Sequence, residues 1–382
     1  MSRTRHRTRV SFVIQQGIEK DVAELLCALS ERYSISCCSM LPTERSVVSA
    51  LRARGIEVRL DRGFCGRIPE PRGGDRIEIS LNSFLPALPV VSKGQVCVFT
   101  GLFFPSVLLA WLVCAAFRKP IILATTSAYG WEQHSHSGWL RRLKKRLLSL
   151  CSAAVVQGGH GERWARFYGV PSDGIFKPFK PVRRLFFETS CGGDGNTVLF
   201  VGRLVRQKGV ATLISSLADG ARGLSSARLC VVGDGVERGR LKRLVRGLSL
   251  AGRVSFLGRA TDDRLASIYA RSAVFVIPSE YELWGRVVGE AAACGLPIVT
   301  TSAVGCVGDL VVDGYNGFVV PPRNPKALAG AMMKLLKDPE LRRKMGERSR
   351  KIAEKWSVER AAEALTNAIE YSLREAKKKR DE

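Results

Sequence analysis

The sequence is short of acid. Its 382 residues carry 60 Lys and Arg against 35 Asp and Glu, a formal net charge of +25. Residues 1–190 hold 28 basic against 14 acidic side chains, which leaves 32 against 21 for the rest. Such a field favours polyanionic partners: nucleic acid, an anionic membrane face or phosphorylated substrates. Other absences narrow that choice. No zinc-finger spacing, aromatic RNA-binding signature or long basic tract occurs, so nucleic acid is not an expected partner. The eleven cysteines contain no C-x-x-C pair and their number is odd. That argues against a disulfide framework or a zinc site and for reduced, buried thiols in a cytoplasmic protein, with Cys37-Cys38 read as packing. The stretch after residues 3–9 has too short an apolar core for a signal peptide. The longest apolar run, 102–117, is 16 residues long, carries Pro105 and stops at Arg118-Lys119. It is short for a membrane span and reads as a buried helix. No Asp-x-Asp pair is present.

What is present is ordinary globular protein, 46% hydrophobic and long enough for two domains with a core each. The clearest break in composition is 189–196, with three glycines and no hydrophobic period, and it sets expected domains of 1–190 and 191–356. In the first half, apolar runs at 9–15, 35–40, 56–60, 96–100, 121–125 and 153–157 read as strands. Helical periods at 20–32, 45–54 and 108–117 separate several of them. Alternation of this kind predicts a parallel, doubly wound sheet, with ligands at the carboxyl ends of its strands. The second half repeats the pattern, with strands at 197–201, 228–233, 254–257, 274–278 and 298–300 and helices at 324–336, 339–356 and 358–379. Thr261 or Asp262 is the expected cap of a helix whose apolar positions include Leu265, Ile268 and Tyr269. Gly233-Asp234-Gly235 follows a strand, but its spacing is G-x-G-x-x-x-G, which argues against a nicotinamide cofactor.

Residues 279–295 organise the chain. A buried strand runs into a short acidic loop, and a helix follows with Val287, Val288, Ala291 and Ala292 on one stripe until Gly295-Leu296-Pro297 stops it. Glu282 precedes the helix and Glu290 lies inside it. A helix N-terminus has unpaired N–H groups and attracts phosphate. Carboxylates on either side of such a point are placed to accept hydrogen bonds from hydroxyls, which is the layout of a nucleotide sugar. On these residues alone, a solvated acidic turn and an ordinary surface Glu remain open.

Glu282 to Glu290, with Trp284-Gly285 between them, resembles the E-x7-E motif of retaining GT-B glycosyltransferases of family 4. Three neighbours strengthen the resemblance. Gly202-Arg203-Leu204 with Lys208-Gly209 is similar to the family's G-R-L-x-x-x-K-G, and Gly233-Asp234-Gly235 matches a turn near the donor. Residues 309–318 are similar to its E-hydrophobic-V-x-D-G-x-N-G-F/L turn, with Asp309 in the place of Glu and Gly314 and Gly317 expected at positive φ. The resemblance covers nearly all of 196–356, and the first half by architecture only.

The resemblance implies an α/β GT-B fold: two Rossmann-like doubly wound domains facing a cleft, with the last helix, 357–382, packing back on the first domain. The second domain would bind a nucleotide-diphosphate sugar, with no cofactor and no metal required. Glu282 would hold hexose hydroxyls, Glu290 the ribose, and Arg203 with Lys208 the diphosphate. Gly202, Gly233 and Gly235 would line the donor crevice, Gly258 and Arg259 the nucleobase. Backbone groups of Leu283, Trp284 and Gly285 would support the sugar and phosphate. A hexosyl unit would pass to an acceptor, a lipid-linked or cell-envelope glycan, by same-face attack that retains the anomeric configuration.

The acceptor side matches the family less well. The turn after the first strand keeps one glycine, Gly17, and the usual His after 121–125 is replaced by Thr126-Ser127-Ala128-Tyr129. His134, His136 and His160, the last in an expected turn at 158–161, are the remaining candidates. Residues 137–150 set Trp139, Leu140, Leu143, Leu147 and Leu148 among Arg141, Arg142, Lys144, Lys145 and Arg146. Such a helix suits an anionic membrane surface, or is a domain helix with its apolar stripe in the core. The expected location is cytoplasmic, with a peripheral place on the membrane face as one option. The rival readings are a nucleotide-sugar epimerase or hydrolase of the same fold, and a non-catalytic membrane- or nucleic-acid-binding relative.

Overall fold

The structure, a computed structural model, describes residues 7–15, 17–60, 65–68, 77–80, 87–101, 105–126, 138–189, 192, 195–219 and 226–382. It divides into one unit of Met1–Pro181 with Val358–Glu382 and a second of Val182–Ser357.

In the first unit the strands are β1 (Arg9–Ile14), β2 (Ser34–Ser39), β3 (Glu57–Leu60), β4 (Cys65–Ile68), β5 (Ile77–Ser80), β6 (Val96–Phe99), β7 (Ile121–Thr125), β8 (Ala153–Val156) and β9 (Ile175–Phe176). β4 and β5 form a separate antiparallel pair, and the other seven form a sheet ordered β3-β2-β1-β6-β7-β8-β9. Every pairing in that sheet is parallel. β6, β7 and β8 are buried at every position, which is why they read as unbroken apolar runs and not as alternation. The chain leaves β1 toward β2 and leaves β6 toward β7, so the strand order reverses between β1 and β6. Such a reversal opens a crevice at the carboxyl ends.

The last helix, Val358–Asp381, supplies Ala361, Ala364, Leu365, Ala368 and Ile369 to the core that also holds Val22, Leu26 and Leu29 of the Lys20–Ser30 helix. Full burial of Leu365 and Ile369 stabilises this packing by roughly 1.5–3 kcal/mol each. The Arg32–Glu370 ion pair beside them, at 2.8 Å, is exposed and adds little.

The second unit contains β10 (Thr197–Val201), β11 (Arg228–Val232), β12 (Val254–Gly258), β13 (Val274–Ile277), β14 (Ile298–Thr301) and β15 (Gly317–Val320). They form one sheet ordered β12-β11-β10-β13-β14-β15, parallel throughout, with its reversal between β10 and β13. The two sheets therefore share one winding scheme.

Several sequence expectations change. The boundary falls at Pro181/Val182 and not at 190/191. Val182 bonds through its N–H to the Trp356 carbonyl at 2.7 Å, and Phe186 is buried in the second unit's core, so the segment before the glycine-rich stretch already belongs there. Gly314 has the expected positive φ, but Gly317 lies in β15, where a Cβ would collide with the Ile298 carbonyl of β14. Close strand approach, not a left-handed turn, is its reason. Residues 158–161 are the first turn of a helix, Gly158–Phe167, anchored by buried Trp164 and Ala165. Thr261 stands at the N-cap of Asp262–Ala270 without a side-chain bond to it, and Asp262 instead pairs with Arg183 at 2.9 Å. Cys37, Cys38, Cys97, Cys114, Cys151, Cys294 and Cys306 are buried and form no disulfide.

Candidate active site

The second unit gathers its polar loops at the reversal point. After β10 the chain passes Gly202-Arg203 into a single 3-10 turn, Arg206–Lys208, which ends on Gly209 with φ +66°. A Cβ at Gly209 would collide with the Pro278 carbonyl, just past the end of β13. Glycine there lets the two loops touch, and the contact is closed by a hydrogen bond from the Glu280 N–H to the Gln207 carbonyl at 2.8 Å. Lys208 is thereby aimed at the loop after β13, and its ammonium forms an ion pair with the Glu282 carboxylate. Both side chains are mostly covered, 14% and 18% exposed.

Glu282 is held by its backbone as well as its charge. Its N–H donates to the Ala303 carbonyl at 3.1 Å and its carbonyl accepts from the Gly305 N–H at 2.9 Å. A Cβ on Gly305 would strike the Leu283 carbonyl, so the two segments lie in close register. The Cys306 thiol lies in the same surroundings. Burial first, and then the negative charges of Glu282 and Asp309, hold its pKa well above the ordinary thiol range. Gly285, at φ +85°, then starts the Arg286–Ala293 helix, and its carbonyl accepts from the Val288 N–H at 2.9 Å.

Glu290 sits in that helix and accepts a hydrogen bond from the Tyr269 hydroxyl at 3.1 Å. Tyr269 is fully buried, so its hydroxyl needs an acceptor, and the carboxylate is fixed in return. Burial, and then the nearby Glu290 charge, push the Tyr269 phenol well above its usual pKa. Sequence reasoning placed Tyr269 among apolar helix positions and missed this role. The signal was a tyrosine on a core-facing stripe, whose hydroxyl has to find a partner.

The loops after β10, β11 and β12 are tied to one another. The Gly202 N–H bonds to the Val232 carbonyl at 3.0 Å, the Leu204 N–H to the Asp234 carbonyl at 2.9 Å, and the Gly233 N–H to the Gly258 carbonyl at 2.7 Å. Gly233, at φ +129°, faces the Gly202 carbonyl where a Cβ would collide, and a Cβ on Gly235 would meet the Leu204 carbonyl. Arg203 and Arg259 are exposed at the ends of β10 and β12.

The predicted site residues thus fall into groups. The structure brings Lys208 into contact with Glu282, and sets Glu290, Leu283 and Gly285 on the loop and helix that follow. The Trp284 side chain turns away from the loop surface. It is 6% exposed and packs on Trp356 with ring centroids 5.9 Å apart, so the indole belongs to the core and only its backbone can face a ligand. Among the described residues no group of three or more His, Cys, Asp or Glu side chains is placed to hold a metal ion.

In the first unit, Gly17 abuts the Pro42 carbonyl, where a Cβ would collide, and the next N–H, of Ile18, donates to the Thr43 hydroxyl at 2.9 Å. His160 is half-buried in the first turn of its helix, beyond the carboxyl end of β8. His134 and His136 lie outside the described residues.

Known proteins align with this geometry. The model of the family "Glycosyl transferases group 1" matches residues 182–352, nearly the whole second unit. An uncharacterized glycosyltransferase of Methanocaldococcus jannaschii is 33% identical over 178 residues, 47% of this chain and 49% of that one. The alpha-D-kanosaminyltransferase of Streptomyces kanamyceticus is 34% identical over 173 residues, 45% of each chain. The chain spans about half the length of the curated relatives it matches. Across nearly its whole length, 95%, it is similar in fold to all of Anabaena HepE, solved in complex with UDP, at a TM-score of 0.71 and 17% identity. The fold is GT-B, and residues 182–352 match the family of glycosyl transferases group 1.

Proposed function

We propose that the protein is a retaining glycosyltransferase that moves a hexosyl unit from a nucleotide-diphosphate sugar to a glycan or lipid-linked acceptor. The observation that carries this reading is the Lys208–Glu282 pair at the reversal point of the second sheet. A covered cation and a covered carboxylate side by side suit the two ends of one bond. Lys208, with Arg203 earlier on the same loop, meets the diphosphate, and Glu282 accepts hydrogen bonds from the sugar hydroxyls. When the bond between the anomeric carbon and the phosphate oxygen breaks, its electron pair leaves with the nucleoside diphosphate. Fixed cations at that oxygen lower the barrier. The acceptor hydroxyl then bonds to the same face of the sugar, and its proton departs with the leaving phosphate. Glu290, fixed by Tyr269, takes the ribose hydroxyls, and the tied turns at Gly233 and Gly258 border the base. No metal enters this scheme.

The names of the relatives support it: one transfers a kanosaminyl group, and a structural neighbour was solved with UDP and glucose. A peripheral place on the cytoplasmic face of a membrane is part of the proposal. Its support is the exposed apolar and basic surface of the Gly138–Leu148 helix together with the net charge. Among the described residues no helix is long and apolar enough to cross a membrane.

The test is a panel of UDP-, GDP-, ADP- and dTDP-sugars, scored by thermal shift and by slow donor hydrolysis. One nucleotide should stabilise the protein, and Lys208→Ala should weaken that effect. Glu282→Ala should keep nucleotide binding and lose sugar turnover. No response to any donor would refute the reading, and product analysis separates transfer from epimerisation.

A further inference from the structure

The first unit has a cavity at the opposite end of its sheet from the strand carboxyl ends. It encloses about 500 Å³ and is lined by the residues that lead into β7 and β8 and by the last turns of the Val358–Asp381 helix. Its charge is one-sided. Arg118, Lys119, Lys379 and Arg380 line it, and its one carboxylate, Glu375, pairs with Lys378 at 2.8 Å. The Lys119 ammonium is already spent on the carbonyls of Val91, Ser92 and Gly94, at 2.7–2.9 Å. Arg118, Lys379 and Arg380 have no carboxylate partner among the described residues. Arg118 also holds φ +51°, past the end of the Pro105–Ala116 helix. That left-handed position ordinarily takes glycine, so the arginine is kept there at a conformational cost.

The rim of the cavity is apolar and exposed. Phe117, next to Arg118, is 72% exposed, and Leu150, which lines the cavity, is half-exposed. Trp139, 63% exposed, and Leu143 share one face of the Gly138–Leu148 helix by their four-residue spacing, and Leu150 follows in the turn just past its end. Among the helix's described side chains the core takes only Leu148 fully, and Lys144 turns inward, with its ammonium 5.1 Å from the Trp164 ring centre and 5.0 Å from that of Tyr168. Arg141, Arg142, Lys145 and Arg146 remain in solvent beside the stripe.

We infer that this cavity is a headgroup site for an anionic phospholipid, entered from a membrane surface on which Phe117, Trp139, Leu143 and Leu150 rest. Exposed cations without a carboxylate partner at the lining of a pocket suit a phosphodiester, and exposed apolar side chains beside it suit the acyl boundary, whereas a soluble phosphate gains nothing from those side chains. The inference rests on the peripheral-membrane reading above and names the surface that carries it.

The test compares the parent protein with Arg118→Gln/Lys379→Gln/Arg380→Gln and with a matched charge loss on the second unit, Arg240→Gln/Lys242→Gln/Arg243→Gln. Binding is read by co-sedimentation with vesicles of phosphatidylcholine containing phosphatidylglycerol, and with phosphatidylcholine alone. The expected result is parent binding to the anionic vesicles only, weakened at least about tenfold by the pocket variant and less than about threefold by the matched one. Equal weakening by both would overturn the pocket and leave a diffuse charge effect. Vesicles ignored, but the parent's melting temperature raised by inorganic phosphate and the pocket variant's not, would overturn the lipid in favour of a soluble anion. Vesicles ignored with no phosphate effect would overturn the membrane reading too. Nucleotide thermal shifts on the same three proteins report on the donor site separately.

Discussion

Because Lys208 and Glu282 pair with each other, substituting them should move nucleotide affinity in opposite directions. Lys208→Met removes a charge-assisted contact to the diphosphate, worth about 1.5–3 kcal/mol, and so weakens a nucleoside diphosphate by roughly 10- to 150-fold. Glu282→Gln acts otherwise. It frees Lys208 from the carboxylate that occupies it before ligand arrives, and it removes a negative charge from the neighbourhood of the incoming phosphates. The free nucleoside diphosphate should bind as well as before or up to about tenfold more tightly. The full nucleotide sugar should gain less or lose, because the amide replaces the carboxylate that accepts the sugar hydroxyls. Calorimetric titration of both variants with the nucleoside diphosphate and its sugar, at one fixed salt concentration, reads all four numbers. Equal weakening of the nucleoside diphosphate by Glu282→Gln and Lys208→Met would falsify the assignment, since it would make the pair a structural clamp.

Four further outcomes follow from the same geometry. Tyr269→Phe takes one hydrogen bond from Glu290 and should weaken nucleoside diphosphate binding by roughly 5- to 20-fold, read by the same titration, with little change in melting temperature. Gly233→Ala sets a Cβ against the Gly202 carbonyl at a φ that L residues avoid, and should cost about 2–4 kcal/mol in denaturant unfolding. Trp284→Ala should cost about 3–5 kcal/mol by emptying the space beside Trp356, and a variant of parental stability would show the indole is not core. The alkaline limit is set by buried protons. Burial raises Tyr269, Cys230 (to about 11) and Cys37 (to about 12) in the folded chain. The unfolded chain therefore ionises first, so this stability is complete below about pH 8.5 and is lost as pH rises toward the folded values. Each such group adds a slope of up to about 1.4 kcal/mol per pH unit, and unfolding free energies that stay flat from about pH 8 to 11 would refute it.

Much of the fold was legible because buried parallel strands announce themselves. Thr197–Val201 and Val274–Ile277 are short apolar runs followed at once by glycine or proline turns, and they mark the two strands that flank the reversal. Lys208 and Glu282 were legible as ligands of one donor but not as partners, because 74 residues separate them and their loops are brought together by the Gly209–Pro278 approach and the Glu280–Gln207 hydrogen bond. Tyr269 was hidden by its own burial, since a core tyrosine and a positioning tyrosine share one helical period. The domain boundary misled because composition marks where hydrophobic patterning lapses, while Val182 and Phe186 mark where the chain begins to pack. For Trp284 the sequence offered a backbone role only, and that its indole packs on Trp356 was not legible because 72 residues separate the two rings.

The closing helix also orders events during synthesis. Residues 182–357 are one continuous stretch, so the second unit has all its strands as soon as they emerge. The first unit does not. Its Lys20–Ser30 helix is left with one apolar flank bare until Leu365 and Ile369 are made, after the whole second unit has been translated. A nascent chain therefore carries an open hydrophobic groove for most of its time on the ribosome, a natural target for chaperones. Cutting the gene at the unit boundary should be asymmetric in consequence: 182–357 yields an autonomous domain, and 1–181 yields a sticky fragment that recovers only when the terminal helix is supplied.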